Sequence, residues 1–66
     1  MFIKTKNATI SHPLNIDMVI AFYKDHSDEG FVIRFQFNHH CMDWIYADEK
    51  SRDTDYDSLM YHTNLV

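Results

Sequence analysis

The chain has little of what staples a small fold together or breaks one open: one cysteine, one glycine and one proline in 66 residues. The lone Cys41 excludes an internal disulfide, and with it the secreted disulfide scaffold. So little glycine and proline excludes a linker or a disordered tail. No apolar run approaches the roughly 20 residues that a membrane-spanning helix needs. Met1-Phe2-Ile3-Lys4 is too short an apolar start for a secretory signal. The expectation is a cytoplasmic protein that does not contact membrane. Clustered basic residues are missing too: Lys4, Lys6, Lys24 and Arg34 are scattered, and the formal charge is −4. Phosphate-backbone binding wants Lys and Arg on one face, so nucleic acid is not an expected partner.

What is present is a core. Hydrophobic residues make up 45% of the chain, among them five Phe, four Tyr and one Trp, which bury large areas per residue. A single domain of this length buries only about 60% of the surface its unfolded chain exposes. Without a disulfide, stability must come from a metal, a second chain or an unusually good core. Acids gather late: Asp43, Asp48, Glu49, Asp53, Asp55 and Asp57 stand against Lys50 and Arg52. They read as a solvated helix face, with a docking surface for a basic partner as the alternative.

Strand patterns fill the first two-thirds. Residues 2–6 alternate apolar and polar, and Asn7-Ala8 is a weak turn before Thr9-Ile10-Ser11, which predicts an N-terminal hairpin. Pro13 interrupts, and residues 13–16 read as a bend or a single helical turn. Met18 to Tyr23 is apolar on both faces, the pattern of a central strand covered on two sides. Gly30, the only glycine, closes a polar hairpin loop that begins at Asp25. The strongest signal is Phe31 to Asn38. There Phe31, Ile33, Phe35 and Phe37 share one face in strict alternation, predicting a half-buried strand. After Asn38-His39-His40, a strand from Cys41 to Ala47 puts Met42, Trp44 and Tyr46 on one side, antiparallel to it. The period then changes. Asp48 is an N-cap candidate, and Tyr56, Leu59, Met60 and Thr63 recur at helical spacing over residues 49–62. A helix start at Thr54 remains the alternative.

The predicted fold is therefore α+β, a four- to five-stranded antiparallel sheet with one C-terminal helix packed on one face. With Ile16-Asp17-Met18-Val19, the aromatic strand at 31–37, Trp44-Ile45-Tyr46 and Arg52-Asp53 ahead of Tyr56, the chain resembles very small bacterial and phage proteins that carry a β-meander followed by one helix. That resemblance implies a general fold and a non-enzymatic, partner-directed role, such as a phage-encoded inhibitor or accessory factor. It implies no site.

Three clusters have ligating chemistry. His39, His40, Cys41 and Asp43 include good zinc ligands, but neighbouring strand residues face opposite ways and the spacing lacks a paired C-x-x-C or H-x-x-x-H form. An exposed turn, a metal site and a proton-linked switch all stay open there. Asp53, Asp55 and Asp57 resemble the start of a calcium loop, yet Ser58 and Asn64 stand where it needs Gly and Glu. Cys41 beside histidine has no glycine-rich oxyanion cradle to work with. No enzyme activity, cofactor or metal is expected. Interface hot spots favour Trp and Tyr, and one helix covers only one sheet face, so Val19, Tyr23, Trp44 and Tyr46 are the predicted interaction surface. The expected function is a small protein-binding module acting stoichiometrically as a homodimer. The alternative is a small-molecule or metal site at a dimer interface near His39–Asp43.

Overall fold

The fold comes from a computed structural model, which describes residues 2–63 and the side chains of residues 2–61. Its elements are β1 (Phe2–Ile3), β2 (Leu14–Asn15), a 3-10 turn (Ile16–Met18), β3 (Ala21–Ser27), β4 (Gly30–Gln36), β5 (Cys41–Tyr46) and α1 (Glu49–Thr63). This is an α+β arrangement whose strands are all antiparallel. They divide into a two-stranded sheet, β1-β2, and a three-stranded meander in the order β3-β4-β5.

The meander follows from two local signals. Between Ser27 and Gly30 only Asp28 and Glu29 turn the chain, and the Ser27 hydroxyl accepts from the Glu29 N–H at 3.2 Å. Gly30 has φ +143°, and a Cβ built there would stand 2.4 Å from the Tyr46 carbonyl oxygen. Only glycine fits this position. The alternation of β4 then sets the faces. Phe31, Ile33 and Phe35 lie in register with Tyr46, Trp44 and Met42 of β5, and Phe35 with Phe22 of β3. This is the helix side of the sheet. Ile33, Phe35, Trp44 and Tyr46 are buried there with Leu14 and Leu59.

The helix starts where Asp48 caps it: the Ser51 N–H donates to Asp48 Oδ1 at 2.7 Å, which satisfies one of the first-turn amides. That bond also holds the Asp48 carboxyl below its ordinary value. The buried face of α1 runs through Arg52, Asp55 and Leu59, with Tyr56 and Met60 half-buried beside it. The Thr63 side chain, expected to extend this stripe, lies outside the described residues.

Two expectations are corrected. The N-terminal hairpin does not form, because Phe2 and Ile3 pair with Asn15 and Leu14 rather than with residues 9–11. Thr9 and Ile10 instead run along the outer edge of β5: both amides donate to the Ile45 carbonyl, at 2.8 and 3.2 Å, and the Ile45 N–H donates to Ile10 at 2.9 Å. The apolar run at Met18 is not a central strand. Met18 ends a 3-10 turn whose Asn15 side chain accepts from the Asp17 amide, and β3 begins only at Ala21. The central strand is β4, with Val32 and Ile33 fully buried on opposite faces.

Candidate functional site

The sheet face away from the helix was expected to be apolar and in need of a cover. Its centre is an ion cluster instead. Arg34 donates from Nε and Nη2 to the two carboxylate oxygens of Asp43, at 2.9 and 3.1 Å, and from Nη1 to Asp25 at 2.8 Å. These three residues come from three adjacent strands, and Asp43 and Tyr23 stand directly across from Arg34. The hydrogen bonds Arg34 makes with Asp43 and Tyr23, with the charge of Asp43, raise its pKa above the ordinary value. A bidentate Arg–carboxylate pair of this kind is geometrically demanding and satisfies both partners.

The predicted interaction residues separate accordingly. Trp44 and Tyr46, 2% and 0% exposed, belong to the core and present no surface. The Trp44 indole N–H donates to the His12 carbonyl at 3.0 Å, and the Tyr46 hydroxyl donates to Asp55 at 2.7 Å. Val19 closes the 3-10 turn through its N–H to Ile16 and packs half-buried against the core. Tyr23 alone stays on the surface, 39% exposed, on the face that carries Arg34.

Other large apolar side chains are more exposed, among them Tyr61 on α1 at 82%. Phe2, Met18 and Ile20 are 70%, 61% and 60% exposed. Phe2 and Met18 border a shallow groove of about 400 Å³ whose floor and rim include Pro13, Phe37, His40 and Met42. The turn after β4 builds one wall: the Phe37 N–H donates to the His40 carbonyl at 2.8 Å, and the two rings stack 4.6 Å apart at 17°. His39 and His40 therefore lie on this rim. They do not converge with Cys41 and Asp43 on one site, because neither of those lines the groove and the Asp43 carboxylate is held by Arg34. Among the described residues no three His, Cys, Asp or Glu side chains are grouped to hold a metal.

The acidic stretch is not a free anionic surface. Asp53 bonds Lys24 at 3.3 Å and Arg52 at 3.0 Å, and Glu49 bonds Arg52 at 3.3 Å. Burial pushes the Asp53 carboxyl up, and its bonds to Arg52 and Lys24 outweigh that, so its pKa lies below the ordinary value. Asp55, 9% exposed, accepts from Thr5, Asn7 and Tyr46 at 2.5, 2.7 and 2.7 Å. Burial, then the Asp55 hydrogen bond and charge, push the Tyr46 phenol far above its ordinary value. The calcium-loop resemblance of Asp53, Asp55 and Asp57 thus dissolves. On a helix, alternate residues face different ways, and here one is ion-paired, one buried and one exposed.

No protein-family model, curated protein or solved structure matches the chain. No helix among the described residues is long and apolar enough to cross a membrane.

Proposed function

We propose that this chain is a non-enzymatic protein-binding module of the cytoplasm that acts stoichiometrically, as an inhibitor or accessory factor, and works as a homodimer. One observation carries the reading: Phe2, Met18 and Ile20 stand 60% or more exposed in a chain of 66 residues, and two of them border the apolar groove. Single exposed hydrophobics are ordinary, whereas a contiguous apolar patch rimmed by polar groups marks an interaction site. The groove supplies van der Waals contact, and Asn38, His39 and His40 supply polar groups at its rim. That composition suits an inserted apolar side chain. The exposed thiol of Cys41 suits a reducing compartment.

The experiment is affinity capture with three baits: the native chain, Met18→Glu and Lys50→Glu. Met18 is exposed, so the charge should leave the fold intact. A partner held by the native chain and Lys50→Glu but lost with Met18→Glu supports the reading. Identical captures with all three baits refute it.

A second reading has its own observation. The groove's volume falls within the roughly 300–1,000 Å³ of small-molecule pockets, and it lies at the predicted His39–Asp43 region. Native mass spectrometry separates the two, since a bound small molecule adds a fixed mass to the chain.

A further inference from the structure

The three-stranded sheet has two edges, and the chain treats them differently. The outer edge of β5 is covered by Thr9 and Ile10. The outer edge of β3 is paired with no strand among the described residues. It is seven residues long and in unbroken register with β4. Open edges invite pairing with another chain, and proteins blunt them with proline, bulges or free charge. Ala21–Ser27 contains no proline, and both of its charges are engaged by partners within the chain. Lys24 bonds Asp53 and lies 4.9 Å from the Tyr56 ring centre, and Asp25 is held by Arg34. This edge is kept straight, and its charges are engaged rather than free.

We infer that β3 pairs antiparallel with β3 of a second copy about a two-fold axis at Tyr23, which makes one continuous six-stranded sheet. This deepens the homodimer part of the function proposed above and leaves the groove out, so each can fail alone.

Register selects the axis. Antiparallel pairs alternate between bonded and non-bonded. Counting back from the Ser27–Gly30 pair that closes the two-residue turn, Asp25 and Tyr23 bond toward β4. The backbone groups of Phe22, Lys24 and His26 then point outward. An axis perpendicular to the sheet must pass through a residue, so that helix faces meet helix faces. An axis at Lys24 would oppose two ammonium groups, and one at Asp25 two carboxylates; like charges directly opposite destabilise. An axis at Phe22 would pair only three residues of the strand with one another. An axis at Tyr23 pairs five. It sets Tyr23 against its own copy at a non-bonded site, where side chains approach closest, and Lys24 against the Phe22 ring of the other chain. The interface is isologous, as in most homodimers.

Disulfide trapping tests this in a Cys41→Ser background, with Tyr23→Cys, Lys24→Cys and the remote control Lys50→Cys oxidised under identical conditions. A disulfide needs Cβ atoms about 3.5–4.5 Å apart, so Tyr23→Cys should form the cross-linked dimer at least about tenfold faster than either of the others. Fastest trapping at Lys24→Cys overturns the register, and equal rates at all three overturn the edge pairing. A second variant guards against misfolding of the cysteine chains. Tyr23→Asp should keep its circular dichroism yet sediment at the 7.9 kDa monomer mass at concentrations where the native chain sediments at twice it. A folded Tyr23→Asp that sediments like the native chain overturns the proposal.

Discussion

Replacing Asp55 should unfold this protein more effectively than replacing any other charged residue. Its carboxylate is 9% exposed and accepts from Thr5, Asn7 and Tyr46, and no cation is among these partners. It therefore ties the N-terminal arm and β5 to the helix. Hydrogen bonds to a charged group contribute about 1.5–3 kcal/mol each, and a buried donor left without an acceptor costs about 1–3 kcal/mol. In Asp55→Ala the Tyr46 hydroxyl is stranded in the core, whereas Thr5 and Asn7 can turn to water. The loss should therefore be about 3–5 kcal/mol rather than the sum of three full bonds. A domain this size has only roughly 3–10 kcal/mol in total, so much of the Asp55→Ala chain should be unfolded at room temperature. Asp55→Asn keeps the volume and one acceptor oxygen, and should cost about 1.5–3 kcal/mol. At about 4–8 °C per kcal/mol, its Tm should fall by roughly 6–24 °C. Thermal melts followed by circular dichroism read this directly. In a Tyr46→Phe background the cost of Asp55→Asn should shrink, because the two residues share a bond. If Asp55→Ala melts within about 3 °C of the native chain, the buried hub is wrong and the N-terminal arm is held by something else.

Phe35 is fully buried and touches the Phe22 and Trp44 rings, so Phe35→Ala should cost about 3–5 kcal/mol; a melt within a couple of degrees of the native one would contradict the β4 register. Asp48 and Asp53 both titrate below the ordinary 3.8. Their stabilisation is thus complete above that value and is lost as pH falls through the lower folded values. Asp48→Asn should flatten the acid limb of Tm against pH, and an unchanged limb would refute the cap. EDTA should leave the melt unchanged; a loss restored by zinc would revive a metal site at His39 and Cys41.

The legible parts of this fold were those fixed by neighbours in sequence. The alternation of Phe31, Ile33 and Phe35, the glycine after Asp28-Glu29 and the Asp48 cap each act within a few residues and form as expected, although the loop is shorter than expected because Asp25–Ser27 belong to β3. Met18–Tyr23 was misread because a short apolar run has no period of its own. The deciding contacts are the Asn15 side chain on Asp17 and the Val19 amide on Ile16, which turn the chain before the strand begins. The N-terminal arm was misread because its partners lie far along the chain, at Leu14, Ile45 and Asp55. The candidate site was less legible. Trp44 and Tyr46 have the composition of a hot spot, but their polar atoms find partners inside, at His12 and Asp55. Phe2 and Met18 lie at element ends, where alternation does not predict exposure. The one sequence sign of Asp55 was its spacing, three residues after Arg52 and four before Leu59 on the buried stripe.

On the proposed function, the apolar end bearing Phe2 and Met18 docks a protein. Amide chemical-shift mapping of the isotope-labelled chain, titrated with the partner obtained by capture, tests it most directly. Perturbations should concentrate on Phe2, Met18, Phe37, His40 and Met42, with the exposed end of α1 around Tyr61 unmoved. A map centred on α1, or on the Arg34 face with the groove residues unchanged, would contradict it.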